Sequence, residues 1–304
     1  MSVPAAALPR PNSALTGIVL VLLATACFAA LDTTAKWITG GVPLLMALWF
    51  RYFVQAVATS AVALPLRGLS VLRTVHWRFL LLRGTLMLVT SLLAFASLRV
   101  MPVAEFTAIV MITPLAITVL AATALKEKVS LLRWTLVGGG FAGTMVIIRP
   151  GGENFDWTLL MPLCMVATNA WFQTLTSKLA KTEDPLTMHF YTGWFAALLG
   201  AAALPFVWET VAGAAYWIGM VAIGLLGAVG HFMLIVGYAR TPAATLTPYL
   251  YAQIGFAMLA GWLVFAHVPD SWSLAGIALV ALCGALGAWL TVRERRIPLE
   301  PIEA

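Results

Sequence analysis

The amino-acid sequence predicts an all-α integral membrane protein in which ten transmembrane helices form two inverted five-helix repeats. Three observations carry this prediction: the composition, an internal duplication and the distribution of basic residues. Hydrophobic residues make up 62% of the 304 residues, charged residues make up 10%, and the mean hydropathy is +0.95. A soluble domain is roughly half apolar and about a quarter charged, so this composition indicates a polytopic membrane protein. The net charge of +6 is therefore no evidence of nucleic-acid binding.

An internal duplication divides the chain near its middle. Residues 84–124 read as an apolar helix, a short break that ends at Pro102 and a second apolar helix, and residues 224–264 repeat this plan with Pro242. A duplication in a very apolar chain is typical of secondary transporters. The predicted division is a first repeat at 1–150, with spans 1–5, and a second repeat at 151–304, with spans 6–10.

Each predicted span is an apolar segment of about 20 residues, the length that an α-helix needs to cross the hydrocarbon core. The spans must be helical because the core lacks water and every backbone polar group needs an internal partner. The ten predicted spans are 14–35, 43–65, 79–98, 103–125, 131–149, 157–178, 186–207, 215–238, 243–266 and 272–292. The connections between them are too short to form a soluble domain.

Basic residues set the predicted orientation. Lys36, Arg99 and Arg149 lie in the odd-numbered loops, whereas Arg51 and Arg83 lie inside spans. The others lie at the two termini and in the even-numbered loops: Arg10, Arg67, Arg73, Arg78, Lys126, Lys128, Arg133, Lys178, Lys181, Arg240, Arg293, Arg295 and Arg296. Because basic loops remain on the cytoplasmic side, both termini are predicted to lie in the cytoplasm, in a bacterial inner (plasma) membrane. Five spans per repeat is an odd number, so the second repeat enters the bilayer from the opposite face.

Short motifs in spans 2, 4, 8 and 9 carry a family resemblance. They are Phe50-Arg51-Tyr52, Pro102 through Pro114, Leu125-Lys126-Glu127, Gly230-His231-Phe232, Pro248-Tyr249-Leu250-Tyr251 and Gly261-Trp262-Leu263-Val264-Phe265 before Pro269. With these motifs, residues 14–292 resemble the drug/metabolite transporter superfamily, specifically its ten-helix, two-repeat EamA-type branch. The resemblance implies export or exchange of small metabolites, which in some members are amino acids and in others nucleotide-linked or quaternary-amine solutes. One departure is His267, which stands where many members have a glutamate equivalent to Glu127.

Polar residues form a stripe on span 1 and another on span 6, the equivalent helix of the second repeat. The stripes are Thr25, Asp32 and Lys36 on span 1, and Asn169, Gln173 and Thr176 on span 6. Two stripes related by the repeat would face each other across a central cavity, which makes Thr25, Asn169 and Gln173 candidate substrate-binding residues. For any single residue of a stripe, hydrogen bonding between packed helices is the alternative.

Charged residues inside a span are costly, so each is a candidate functional group. Asp32 and Arg51 lie within reach of each other near the outer ends of spans 1 and 2, and we expect them to pair. Glu105, at the start of span 4, is the rival partner for Arg51. The pair would serve either as an outer gate or as a fixed ion pair that holds the two spans together. Arg83 lies one turn inside span 3, where snorkelling to the membrane surface is the simpler interpretation.

Two further candidate substrate-binding residues lie in the middle of spans 8 and 6. His231 aligns with Ser91 of the first repeat and is predicted to contact solute by hydrogen bonding. The alternative for His231 is a neutral imidazole bonded to a neighbouring helix. Trp171 could present an aromatic face to an ammonium group or a ring.

Span 9 supplies three more candidate substrate-binding residues. Tyr249, Tyr251 and Gln253 follow Pro248, whose missing N–H frees a carbonyl group and permits a bend. Side chains beside such a bend are plausible ligand contacts, and aromatic packing is the alternative for the two tyrosines.

Few charges line the predicted cavity, which favours a small polar or zwitterionic solute over a polyanion. We therefore predict a secondary transporter that works by alternating access. The preferred function is that of an amino-acid-type exporter. Carriers of quaternary amines or nucleosides are alternatives. A membrane-embedded enzyme acting on a lipid-linked substrate is the runner-up class, but the sequence has no H-E-x-x-H, G-x-S-x-G or P-loop motif. No catalytic residue, metal ligand or cofactor is predicted.

The predicted partners are a small-molecule substrate and the lipid bilayer, without nucleic acid. Small residues in spans 5 and 10 form surfaces suited to close helix packing. They are Gly139, Gly143, Ala281, Gly284, Ala285 and Ala288. The chain is predicted to be a monomer, or a homodimer formed through these two spans.

Overall fold

The computed structural model describes residues 11–124, 129–150, 156–179, 182–240, 246 and 249–294, and these residues contain helices but no β-strand. The α-helices are α1 (Pro11–Ile38), α2 (Leu44–Arg67), α3 (Trp77–Val100), α4 (Val103–Val110), α5 (Thr113–Ala124), α6 (Leu131–Ile148), α7 (Met161–Leu179), α8 (Pro185–Ala201), α9 (Leu204–Val207), α10 (Ala214–Arg240), α11 (Ala252–Phe265) and α12 (Ser271–Glu294). Short 3₁₀ turns occupy Gly68–Leu72 and Trp157–Leu160. The predicted all-α class is confirmed for this part of the chain.

Seven helical segments among the described residues are long and apolar enough to cross a bilayer. They are Leu15–Ile38, Leu44–Leu72, Trp77–Val100, Val103–Leu120, Leu131–Ile148, Ala214–Leu234 and Ser271–Leu290, and they match predicted spans 1–5, 8 and 10. Spans 6, 7 and 9 correspond to α7, α8 and α11. Of these, α8 has 17 residues and α11 has 14. The predicted start of span 9, with Pro248, lies outside the described residues.

Predicted span 4 is divided into α4 and α5 by a turn at Met111 and Ile112. Pro114 has no N–H to donate to the carbonyl of Val110, four residues earlier. The hydroxyl of Thr113 donates to that carbonyl instead, at 2.6 Å. The bend expected from Pro114 therefore lies just before the proline.

The helices pack through a set of specific neighbours. The helix α1 packs against α10 and α11, and α7 packs against α3, α4 and α5. The helix α2 packs against α8 and α10, α3 packs against α7 and α8, and α4 packs against α11. The pair α6 and α12 forms a separate contact. Side chains from α1, α2, α3, α8, α10 and α11 therefore meet in the interior.

The loops that connect the helices lie at two opposite ends of the molecule. We call the first the Lys36 end, and two basic residues there link the ends of different helices. Lys36 Nζ donates to the carbonyl oxygens of Leu98 at 2.7 Å and Met101 at 2.9 Å, which satisfies carbonyls at the end of α3. Arg149, after α6, forms an ion pair with Asp270, before α12. The ends of α1, α3 and α6 therefore lie beside the start of α12.

The second end, which we call the Glu183 end, joins the loop after α2 to the loop before α8. Arg67 pairs with Asp184 at 3.0 Å, and Glu183 Oε1 accepts from the Thr74 hydroxyl at 2.8 Å and from His76 N–H at 2.9 Å. Burial raises the pKa of Glu183, but the hydrogen bonds from Thr74 and His76 have the larger combined effect, so the pKa lies below its usual range. The Glu183 carboxylate is thus held in its charged form by this loop.

The helices α6 and α12 approach closely because both carry glycine at the contact. A Cβ atom on Gly276 would lie 2.7 Å from Gly143 O, and one on Gly143 would lie 3.0 Å from Gly276 O. A Cβ atom on Gly139 would lie 2.6 Å from the sulfur of Cys283. The two small residues predicted on span 5, Gly139 and Gly143, therefore contact span 10 within a single chain, although they do so at Cys283 and Gly276 rather than at the small residues predicted on span 10.

Candidate functional site

The interior holds a group of polar residues that we call the central polar cluster: Asp32, Arg51, Tyr52, Gln55, Ser91, His189, His231 and Gln253. Arg51 is 6% exposed and Gln55 is 1% exposed. Burial of a polar group costs free energy unless a hydrogen bond compensates. The atoms of the cluster that lack a partner therefore indicate where a solute could bind.

Arg51, on α2, supplies a buried positive charge with an unused donor. Its Nη1 donates to Ser91 Oγ at 3.1 Å, and its guanidinium lies 5.4 Å from the ring centre of Tyr52 and 5.5 Å from that of Phe95. Its Nε has no hydrogen-bond partner. No carboxylate among the described residues forms an ion pair with it. Because a guanidinium has five N–H donors, Arg51 can bind a further acceptor.

Tyr52 holds the partner of Arg51 in place. Its hydroxyl donates to the carbonyl of Met87 at 3.0 Å, so it can accept from Ser91 Oγ, which lies 2.6 Å away. Ser91 then has its lone pairs free for the guanidinium of Arg51. The Arg51 side chain is therefore directed towards α3.

Asp32 and Arg51 do not form the expected ion pair. Asp32 Oδ2 instead accepts from Gln253 Nε2 of α11 at 3.4 Å, while Arg51 contacts Ser91 and Phe95 of α3. The two charges are still close enough to attract each other. Glu105, the expected rival partner, lies at the Lys36 end, where Oε1 is 3.0 Å from Nε2 of His267.

Gln55 lies four residues after Arg51, on the same face of α2. Its Nε2 is 3.4 Å from His189 Nε2, whereas its Oε1 has no partner. A Cβ atom on Gly227 of α10 would lie 3.5 Å from Gln55 Oε1 and 3.9 Å from Arg51 Nε. One acceptor and one donor without partners thus border the same spot, where α10 has no side chain. Gln55 was not predicted from the sequence, although its four-residue spacing from Arg51 places both residues on one face of the helix.

Two histidines from different helices complete the cluster. The ring centres of His231 and His189 are 5.9 Å apart, and His231 lies 5.0 Å from the ring of Phe28. His189 was not predicted from the sequence either, because its position near the predicted start of span 7 resembles that of an interfacial residue. The rule that selected His231, a titratable residue inside an apolar span, applies equally to His189.

Arg83 does not snorkel to the membrane surface. It is 8% exposed, and its Nε donates to Thr176 Oγ1 at 2.8 Å. Its Nη1 donates to Met188 O at 3.0 Å and also to Thr192 Oγ1, and the ring centre of Phe172 lies 4.7 Å away. The helices α7 and α8 surround this guanidinium, so its path to the surface is blocked.

The remaining predicted substrate-binding residues lie apart from the central polar cluster. Thr25 is fully buried and donates to Leu22 O of its own helix, and Asn169 donates to Thr113 Oγ1 at the span 4 bend, at 3.3 Å. Trp171, Gln173 and Tyr249 are exposed, and Tyr251 is directed at Gly284 of α12. The structure therefore brings together Asp32, Arg51, His231 and Gln253 from the predicted set.

Comparison with known proteins assigns the chain to a family. The profile of the EamA-like transporter family matches residues 15–149. A riboflavin transporter of Rhizobium johnstonii is 30% identical over 278 residues, which cover 89% of this chain and 90% of that protein. The chain belongs to the EamA-like transporter family.

Other proteins resemble this EamA-like chain over most of its length. A riboflavin transporter of Vibrio cholerae serotype O1 is 29% identical over 290 residues, covering 93% of this chain and 96% of that protein. An S-adenosylmethionine uptake transporter of Rickettsia felis is 24% identical over 269 residues, covering 88% and 90%. One solved crystal structure has a TM-score of 0.61 at 21% identity, covers 95% of this chain and 100% of that chain, and shows a shared fold.

Family membership settles the broad class of this EamA-like chain. Its apolar helices and transporter relatives make it a multi-pass membrane protein that carries a metabolite, within the drug/metabolite transporter superfamily. The preference for a transporter over an enzyme is thereby confirmed. The expected amino-acid specificity finds no support among these relatives, whose named solutes are riboflavin and S-adenosylmethionine.

Proposed function

We propose that this EamA-like chain is a secondary carrier for a planar heterocyclic metabolite of the riboflavin type. The observation that carries the proposal is the pair of unpartnered atoms, Arg51 Nε and Gln55 Oε1, which both lie beside Gly227. The pyrimidine edge of a flavin places a carbonyl oxygen next to an imide N–H. Arg51 would donate to the carbonyl and Gln55 would accept from the imide. Two similar proteins named as riboflavin transporters support this choice of solute.

A zwitterionic amino acid is the second candidate solute. Asp32 and Arg51 carry opposite charges in the same cluster without pairing. An amino acid could place its ammonium group near Asp32 and its carboxylate near Arg51, which would give each charge a partner. Export of such a solute was the function first expected from the sequence, and it remains a prediction to be tested against the flavin.

We further infer that the chain forms ten spans in two inverted repeats, residues 1–150 and 151–304. Spans 1 and 6 are α1 and α7, spans 2 and 7 are α2 and α8, and spans 3 and 8 are α3 and α10. If each span is replaced by the span five positions away, the α1–α10 contact becomes the α7–α3 contact, and the α2–α10 contact becomes the α8–α3 contact. The same exchange leaves the α2–α8 and α6–α12 contacts unchanged. A two-fold relation between the halves produces this pattern, and the family match ends at residue 149, beside the proposed boundary.

In this proposal, the Glu183 end and both termini face the cytoplasm of the bacterial inner membrane, as the basic residues predict. Solute would bind between the halves, because Arg51 and Gln55 belong to the first repeat and His189 and Gly227 belong to the second. Opening towards the Lys36 end would break the hydrogen bond between Asp32 and Gln253. Opening towards the Glu183 end would break the contacts between Arg83 and α8. The α6–α12 contact within one chain favours a monomer over a dimer formed through these helices.

Riboflavin counterflow in proteoliposomes tests the proposed function. Riboflavin loaded inside should accelerate entry of labelled riboflavin, because a carrier returns faster with solute bound than empty. Gly227→Ala should abolish the acceleration with little change in thermal unfolding, since its Cβ would meet Gln55 Oε1 and Arg51 Nε at ordinary contact distances and would press only on the end of the flexible Leu31 side chain, at 3.3 Å. Counterflow of phenylalanine that riboflavin does not inhibit would show that the transported solute is an amino acid and not a flavin. Counterflow of neither solute would reject the proposed site.

A further inference from the structure

A second polar site lies at the Lys36 end, apart from the central polar cluster. It is a cavity of about 260 Å³ between the ends of α3, α6 and α11 and the starts of α4 and α12. Buried residues such as Glu105 and Ile148 line its interior, and the exposed Val268 lies at its rim. The cavity is therefore open to a solute that arrives at this end.

Glu105 gives this cavity an acceptor that the protein leaves unused. The residue is 5% exposed; its Oε1 is 3.0 Å from His267 Nε2, and its Oε2 has no hydrogen-bond partner. A buried carboxylate oxygen without a donor is costly. Glu183, buried at the opposite end, accepts from Thr74, Val75 and His76 on one oxygen. The contrast indicates that Glu183 is a structural link, whereas Glu105 has capacity for a ligand.

The charges around the cavity favour a neutral ligand. Glu105 interacts electrostatically with Lys36 and with Arg149. The second carboxylate at the cavity, Asp270, is already paired with Arg149. Two carboxylates are therefore balanced by two fixed cations, so a cationic ligand would meet no excess negative charge. The missing partner of Glu105 Oε2 is best supplied by a neutral O–H group.

The walls and the size of the cavity indicate which kind of neutral ligand it fits. Ile147, Ile148 and Leu159 form an apolar wall, and Asp270 and Ser273 lie on a polar edge. The volume of about 260 Å³ is smaller than the roughly 300–1,000 Å³ of pockets that hold drug-sized ligands. A short chain that carries several hydroxyl groups matches a small cavity with one apolar wall and one polar edge.

We propose that this cavity binds the neutral polyol chain of the transported solute, with a hydroxyl donating to Glu105 Oε2. The proposal rests on the proposed function, since a riboflavin-type solute carries a ribityl chain beside its ring system. Such a solute would meet this cavity before it reaches Arg51 from the Lys36 end. The cavity would therefore select solutes by their hydroxyl-bearing chain, and the central polar cluster would select them by their ring.

Calorimetric titration of ribitol into the purified chain tests the cavity separately from transport. The chain is held in phosphatidylcholine nanodiscs, because that headgroup has no O–H or N–H donor that could occupy Glu105. Wild type should show saturable binding, and Glu105→Met should weaken it at least about tenfold through loss of a charge-assisted hydrogen bond. Glu209→Gln changes an exposed carboxylate that does not line the cavity, so it should bind as wild type does. Leu159→Trp fills the cavity without changing Glu105 and should also lose binding.

The outcomes separate this inference from the proposed function. Ribitol binding that depends on Glu105, in a chain without riboflavin counterflow, would support the cavity and reject the flavin as the carried solute. Riboflavin counterflow together with no ribitol binding, or with equal binding by wild type and Glu105→Met, would overturn the cavity proposal alone. Thermal unfolding of each variant shows that the compared chains are folded.

Discussion

Replacing Arg51 by methionine is the most direct test of the central polar cluster. The change removes a charge-assisted hydrogen bond to Ser91, worth about 1.5–3 kcal/mol, and cation–π contacts with Tyr52 and Phe95, worth about 2 kcal/mol each when desolvated. It also removes the cost of burying a guanidinium, which is several kcal/mol. Ser91 keeps its bond to Tyr52 and Asp32 keeps its bond from Gln253, so both neighbours of Arg51 retain a hydrogen-bond partner. We therefore expect the free energy of unfolding to change by less than about 2 kcal/mol.

Solute binding should respond much more strongly to the same substitution. Loss of one charge-assisted hydrogen bond of about 1.5–3 kcal/mol corresponds to a decrease in affinity of about 10- to 150-fold. Arg51→Lys keeps the charge but not the Nε donor, so its affinity should lie between those of wild type and Arg51→Met. Quenching of riboflavin fluorescence measures affinity, and thermal unfolding in detergent measures stability. A loss of more than about 3 kcal/mol of stability, with unchanged affinity of the folded protein, would make Arg51 a structural residue and refute the reasoning.

Three further predictions concern the Glu183 end, Arg83 and the topology. Because the folded-state pKa of Glu183 is lowered, its carboxylate stabilises the fold above the unfolded pKa of about 4.3 and loses this effect as the pH falls through the folded value. Glu183→Gln should therefore destabilise the chain by about 1–3 kcal/mol at pH 7, and its melting temperature should converge with that of wild type once the pH has fallen through the lowered folded-state pKa. Arg83→Met should reduce counterflow more than stability, because Thr176 and Thr192 retain hydrogen bonds within their own helices; equal losses of both would contradict this. In a background without the native cysteines, an impermeant thiol reagent added outside cells should label Glu209→Cys and spare Ser130→Cys, and labelling of both would reject the proposed topology.

The positions of the helices could be predicted from the sequence because the bilayer imposes a length on each span. Predicted span 2 at 43–65 appears as Leu44–Arg67, and predicted span 5 at 131–149 appears as Leu131–Ile148. The side of each helix that faces inwards was harder to predict. Lipid and protein interior are both apolar, so a membrane helix shows little contrast between its faces. Trp171, predicted to face the cavity, is 52% exposed for this reason.

The partners of the buried charged side chains could not be predicted from the spacing of residues along the chain either. The rise per residue gives the depth of Asp32 and Arg51 in the membrane, but their rotation about the helix axes depends on which neighbours pack beside them. Ser91 and Phe95 draw Arg51 towards α3. Arg83 differs from prediction for a similar reason, because its depth near the end of span 3 suggests snorkelling while the position of α8 prevents it.

Polar contacts between residues before and after position 150 are stronger at one end of the molecule than at the other. At the Lys36 end, Gln253 reaches Asp32 at 3.4 Å and His267 Nε2 lies 3.0 Å from Glu105 Oε1, so each of these two carboxylates has one partner. The Arg149–Asp270 pair is largely exposed, so screening by solvent limits its contribution. At the Glu183 end, a nearly buried carboxylate receives several donors on one oxygen, and Arg83 binds α8 in the interior. A carrier that opens one end at a time must break one set of contacts while it keeps the other. Opening the Lys36 end breaks the weaker set, so the state accessible from this end should be the more populated one in the absence of solute.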